Sequence, residues 1–230
     1  MKTTLQTLAL LAIFAAVPVI LTGCAKDGYE QAAVTKDSIV AFRASIGELN
    51  SQISVANNSL QTLVSDTTTD PTPRFKSFSE AVDKVISLDE SARSKGEDVQ
   101  ANAKKTIEAR EKVVAQIDDV NMRKTATTEK ENYSKQFQTV KSTTASAVDS
   151  TKAYISKLLN IRDMLSADLS ARGITEAKSY VGGITDLGKE ATKNLDALSE
   201  LVGKVAESTS HPVATPPTAA TGSQTTTPAK

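Results

Sequence analysis

Tryptophan is absent from this chain, cysteine and histidine occur once each, and aromatic residues make up only 4% of it. A single cysteine excludes an internal disulfide framework. One histidine, His211, without companions excludes the usual Cys/His metal spacings, and so few aromatic rings leave little from which to build a ligand pocket or a base-stacking surface. An excess of either charge is missing as well, since 27 Lys and Arg balance 27 Asp and Glu. No nucleic acid or other polyanion is therefore expected as a partner. Neither a Gly-rich phosphate loop nor a Gly-x-Ser-x-Gly elbow occurs. No convergent nucleophile, base or metal site can be assembled, so no catalytic residue, cofactor or metal is expected, and the chain reads as non-enzymatic.

What the chain has instead is Ala, Ser, Thr, Lys and Glu with long gaps between prolines, a composition suited to long helices with narrow apolar seams. Ala32, Thr35, Ile39, Phe42, Ile46, Leu49, Ile53, Ala56, Leu60 and Leu63 follow one another at alternating steps of three and four, which is a heptad seam. They predict a first helix over about 26–65. Two prolines in Asp66–Pro73 break it, with Thr72 as N-cap and Pro73 as first residue of a second helix over about 73–117. That helix carries Phe75, Phe78, Val82, Val85, Ala92, Gly96, Val99, Ala103, Val113 and Ile117 on its seam, together with the charged Asp89 and Arg110.

After a turn at Asp118–Asn121, a third helix over about 121–171 turns Ala126, Tyr133, Phe137, Val140, Thr144, Ala147, Thr151, Tyr154, Leu158, Ile161 and Leu165 inward. Gly173 is expected to stop it and Thr175 to cap a fourth, over about 175–207, with Ala177, Val181, Ile184, Gly188, Ala191, Leu195, Leu198, Val202 and Val205 on its seam. Beyond it, residues 208–230 are Ser, Thr, Pro and Ala without apolar period and are expected to be disordered. Gly182, Gly183 and Gly188 follow no strand, so they predict close helix packing, not a nucleotide loop. By helical rise Asp89 falls near the level of Lys157 and Lys189, which predicts a structural ion pair.

Four seams joined by short turns predict an all-α fold, an elongated antiparallel up-down-up-down four-helix bundle of coiled-coil character. At about 1.5 Å per residue the middle helices reach about 65 to 75 Å, against about 60 Å for the first and about 50 Å for the fourth. Helices two and three should therefore project as a hairpin. Its seam turns polar at Arg110 and Lys130, and its tip carries Ile117, Val120 and Met122 beside Arg123 and Lys124. These five residues are candidates for contact with membrane or a partner; the alternative is that they close the hairpin on itself. Heptad seams can also pair between chains, so oligomeric state stays open.

At the N-terminus Lys2 precedes an apolar run from Leu8 to Leu21, interrupted only by Pro18. That is the layout of a secretory signal peptide, here residues 1–23. The run is shorter than the ~20 apolar residues of a membrane span, and no basic stop-transfer cluster follows. Leu21-Thr22-Gly23-Cys24 resembles the lipobox of bacterial lipoproteins. The resemblance implies that Cys24 is acylated and becomes the first mature residue, leaving 26 basic against 27 acidic residues once Lys2 is removed. Ala25 stands where enterobacterial lipoproteins retained in the inner membrane have aspartate, which implies the inner leaflet of the outer membrane, facing the periplasm.

Ser59–Val64, the Phe75-x-x-Phe78 pair with Ala81–Lys84, and Ile161–Leu169 before Gly173-Ile174 are similar to an uncharacterised proteobacterial family of secreted helical proteins, a domain of unknown function. That resemblance implies a helical bundle in the envelope and no activity. The reading that follows is a periplasmic helical scaffold or interaction protein, tied to the membrane by its N-terminal lipid and engaging an envelope protein. The alternative is a binding module, either a chaperone-like carrier of lipid or apolar peptide or an adaptor to an envelope complex. Lys230 at the end of the tail is similar in position to the lysine by which murein lipoproteins are joined to peptidoglycan, and is a candidate for that attachment.

Overall fold

In a computed structural model of the chain, residues 17–66 and 68–209 are described, with side chains over 30–66 and 68–208. They form a helical bundle of five α-helices: α1 Val17–Ser65, α2 Thr72–Ala115, α3 Val120–Ala167, α4 Ala171–Lys178 and α5 Val181–Thr209. No strand occurs among the described residues. The first sixteen residues of the expected signal peptide, and residues 210–230 of the expected tail with His211 and Lys230, lie outside them.

Most seam positions are buried where the heptads put them, whereas Ala32, Phe75, Val113, Ile117, Ala126, Thr144 and Val181 are half-buried. Ile39, Phe42, Ile46, Leu49, Ile53, Ala56, Leu60 and Leu63 of α1 are all buried, as are Phe78, Val82, Val85, Val99 and Ala103 of α2. Tyr133, Phe137, Val140, Tyr154, Leu158 and Leu165 of α3 and Ile184, Ala191, Leu195, Leu198, Val202 and Val205 of α5 complete one continuous core. Helix α1 packs on α2 and α5, α3 packs on the same two, and α4 rests on α1 and α3. Burying each fully enclosed Leu, Ile or Phe contributes about 1.5–3 kcal/mol, and this seam burial, not helix propensity, holds the bundle together.

Named cross-helix contacts set the register. Thr35 and Thr106 share a buried hydrogen bond of 2.9 Å, and the Gln52 amide donates to the Ala81 carbonyl. Asp83 of α2 pairs with Arg162 of α3, and Glu111 with Lys130. The Tyr154 hydroxyl of α3 donates at 3.0 Å to Asn57 of α1, Asn50 of α1 donates to Asp196 of α5, and Ser208 of α5 donates to Gln136 of α3.

The ends of the elements differ from expectation in several places. Helix α1 is already helical at Val17, the first described residue, instead of starting near Lys26. Helix α2 begins one residue early, with Pro71 in the cap position and Pro73 inside the first turn. Asp70 takes over the capping role expected of Thr72, its carboxylate accepting from both the amide and the hydroxyl of that residue.

Helix α3 stops at Ala167, not near Ala171, and the next cap is Ser170 rather than Thr175, whose hydroxyl instead donates to the Ala171 carbonyl within α4. Gly173 does not end a helix; it sits in the first turn of α4, where a Cβ would lie 2.0 Å from the Asp168 carbonyl oxygen. It is needed for close approach. The expected fourth helix is also two helices, broken at Ser179 and Tyr180, whose amides bond three residues back to Glu176 and Ala177. Two glycines directly after the break remove side chains that would otherwise favour straight continuation. At its other end α5 runs on through Ser208 and Thr209, which were expected to open the tail.

Candidate functional site

The link between α2 and α3 is a short turn held by side-chain and backbone hydrogen bonds. Asp119 has extended backbone geometry and caps α3, its carboxylate accepting from the Met122 amide at 2.8 Å, while the Arg123 amide bonds the Asp119 carbonyl. Arg123 then folds back over the turn, Nε donating to the Ile117 carbonyl at 2.6 Å and Nη2 to the Asp118 carbonyl at 3.1 Å. Those carbonyls belong to the turn just past the end of α2. One guanidinium satisfies both.

The turn leaves apolar side chains outside. Val120 is 74% exposed and Met122 43%, whereas Ile117 is half-buried. Of the five residues named for the tip, the structure therefore presents Val120, Met122 and Lys124 to the outside, commits Arg123 to the turn, and tucks Ile117 inward. Sequence reading missed the role of Arg123, although an arginine four residues after a capping aspartate is a signal for it.

Above the tip, both seam charges have partners suited to them. The Arg110 guanidinium lies 4.3 Å from the centre of the Tyr133 ring, which packs on Phe137. Lys130 Nζ is 3.4 Å from Glu111. Cys24 lies in the backbone of α1, and its side chain is outside the described residues.

Elsewhere, groups that could have carried chemistry are accounted for by packing. Asp89 is buried, and its partner is Arg93 at 2.8 Å one turn along α2, not Lys157 or Lys189; Lys189 pairs with Asp186. Burial raises the Asp89 carboxyl above its ordinary range, and the Arg93 charge opposes that without cancelling it. The Tyr154 hydroxyl is likewise pushed up by burial and stays protonated. At the opposite end from the α2/α3 turn, Asp66 accepts from Thr68, Thr69 and Arg74 and is held well below the usual carboxylate range, first by the Thr69 hydroxyl.

Beside that turn a depression of about 360 Å³ is lined by short polar side chains with Val55 and Pro73, and its one charge, Arg74, is engaged by Asp66. Of the glycines expected to mediate close packing, Gly188 does so: a Cβ there would meet Asn57 at 2.6 Å and Tyr154 at 3.1 Å. Gly182 and Gly183 face open space instead.

Among the described residues no group of His, Cys, Asp and Glu could hold a metal ion, and no helix is long and apolar enough to cross a membrane. No family model, curated protein or solved structure matches the chain.

Proposed function

We propose that this chain is a non-enzymatic lipoprotein of the bacterial outer membrane, acylated at Cys24 and facing the periplasm, where its bundle serves as a scaffold for another envelope component. The observation that carries the reading is the Leu21-Thr22-Gly23-Cys24 stretch behind a short apolar run, together with a helix that continues from it into the core without a break. A carrier of lipid or apolar peptide finds less support, because the seam side chains pack on one another in one continuous core.

In this reading the helices alternate in direction. Thr35 with Thr106 and Gln52 with Ala81 support it for α1 and α2; Asp83 with Arg162 and Glu111 with Lys130 support it for α2 and α3. In each pairing the number rises along one helix as it falls along the other. Ser208 at the end of α5 meets Gln136, so the α2/α3 hairpin projects about 25 Å past α5. A muropeptide on Lys230 in lysozyme-released protein would establish attachment of that residue to peptidoglycan.

Mass spectrometry of the N-terminal peptide from membrane-purified protein tests the anchor. The expected product begins at Cys24 and carries acyl chains, and Cys24→Ala releases the protein from sedimented membranes. A product that keeps residues 1–23, or begins at another residue without lipid, overturns the proposal.

A further inference from the structure

We infer that the α2/α3 turn rests on the same phospholipid surface that holds the acyl chains of Cys24, making the protein a two-point membrane contact. The inference rests on the lipoprotein reading and adds to it a second attachment.

Register supplies the first argument. Thr35 of α1 is hydrogen-bonded to Thr106 of α2. Counting equal numbers of residues back along α1 and forward along α2 from that pair brings Cys24 to the level of Ile117, at the rim of the turn, since both helices rise by the same step. An acyl chain on Cys24 thus places the bilayer surface at the height of the turn.

The chemistry of the turn supplies the second. A backbone turn meets an apolar interface at a cost set by its unpaired polar groups. Here Arg123 takes the Ile117 and Asp118 carbonyls and Asp119 takes the Met122 amide, which lowers that cost, and Val120 and Met122 project beside the exposed Asp118, Asp119 and Asn121. The exposed Lys112, Arg123 and Lys124 offset Glu111, Asp118 and Asp119, so the turn presents no net charge to repel the headgroups. Two exposed apolar side chains are too few to hold a soluble protein on a bilayer. They suffice to orient one that a lipid already tethers, because the second contact forms at high effective concentration.

Full-length, acylated protein carrying Val120→Cys, labelled with an environment-sensitive fluorophore and reconstituted into vesicles of phosphatidylethanolamine and phosphatidylglycerol, tests this. Met122→Cys gives a second probe on the turn, and Gln61→Cys a reference near the opposite end of α1. Labels at 120 and 122 should shift to the blue and lose most of their emission to lipids bearing a nitroxide near the headgroup, while the label at 61 stays aqueous. Cys24 shown by mass to be acylated, with the label at 120 as wet as that at 61, overturns the inference and leaves the anchor standing. Absence of lipid on Cys24 overturns the anchor and the inference with it. Drying of label 120 in detergent as protein concentration rises means that a second copy covers the turn, and overturns the membrane contact.

Discussion

Asp89 shows what a helical seam can and cannot reveal about a single residue. Its burial was legible, since it occupies a core position of the α2 heptad. Its partner was not: rise along an axis gives the level of Lys157 and Lys189 but not the direction in which each side chain leaves its helix. Arg93, four residues on, is the neighbour that helix geometry guarantees. Burial raises the Asp89 carboxyl in the folded chain, so its ionisation opposes folding above the ordinary carboxylate range. Asp89→Asn should accordingly increase stability at neutral pH. The gain should fade as pH falls from the raised folded value through the unfolded one, where aspartate is neutral in both states. Chemical denaturation of both proteins at neutral and acidic pH measures it, and a loss of stability at neutral pH would show that the Arg93 contact outweighs desolvation.

The elements were legible in their interiors and not at their ends. Apolar periodicity is set by the core and repeats many times along α1, α2, α3 and α5, so no single residue decides it. Caps and breaks turn on one or two hydrogen bonds. Asp70, Thr72 and Pro71 could each have capped α2, and Ser170 and Thr175 are both good caps within a few residues of one another. Glycines were the hardest to read, because their meaning depends on what lies opposite. Gly47 in α1 faces open space, so Gly47→Ala should stabilise by about 0.5–1 kcal/mol through the unfolded chain. Gly173→Ala should destabilise by about 1–3 kcal/mol, since its Cβ would meet the Asp168 backbone, which cannot yield as a side chain end does. Thermal unfolding of the two variants should move in opposite directions.

At the scale of the whole molecule, burial falls off toward the α2/α3 turn. From Ala147 to Leu165 the α3 seam is almost wholly enclosed, whereas between 111 and 132 no residue is fully buried. Hydrogen exchange should follow that gradient, slowest around Tyr154 and fastest around the turn, and uniform protection along α3 would contradict it. The seams made this bundle legible, while partner identity was not, because exposed helix faces can be varied without disturbing the fold. The unbroken course of α1 has a mechanical consequence. A protein hung from its lipid by a flexible tether samples a cloud of heights, but in the proposed lipoprotein the first core residues would follow the anchor within the same helix. With Cys24 fixed at the surface, the turn at Asp66–Pro71 stands off by about 60 Å along α1. The chain is then a ruler with its zero at the lipid, and whatever binds near Arg74 meets it at one fixed distance from the membrane.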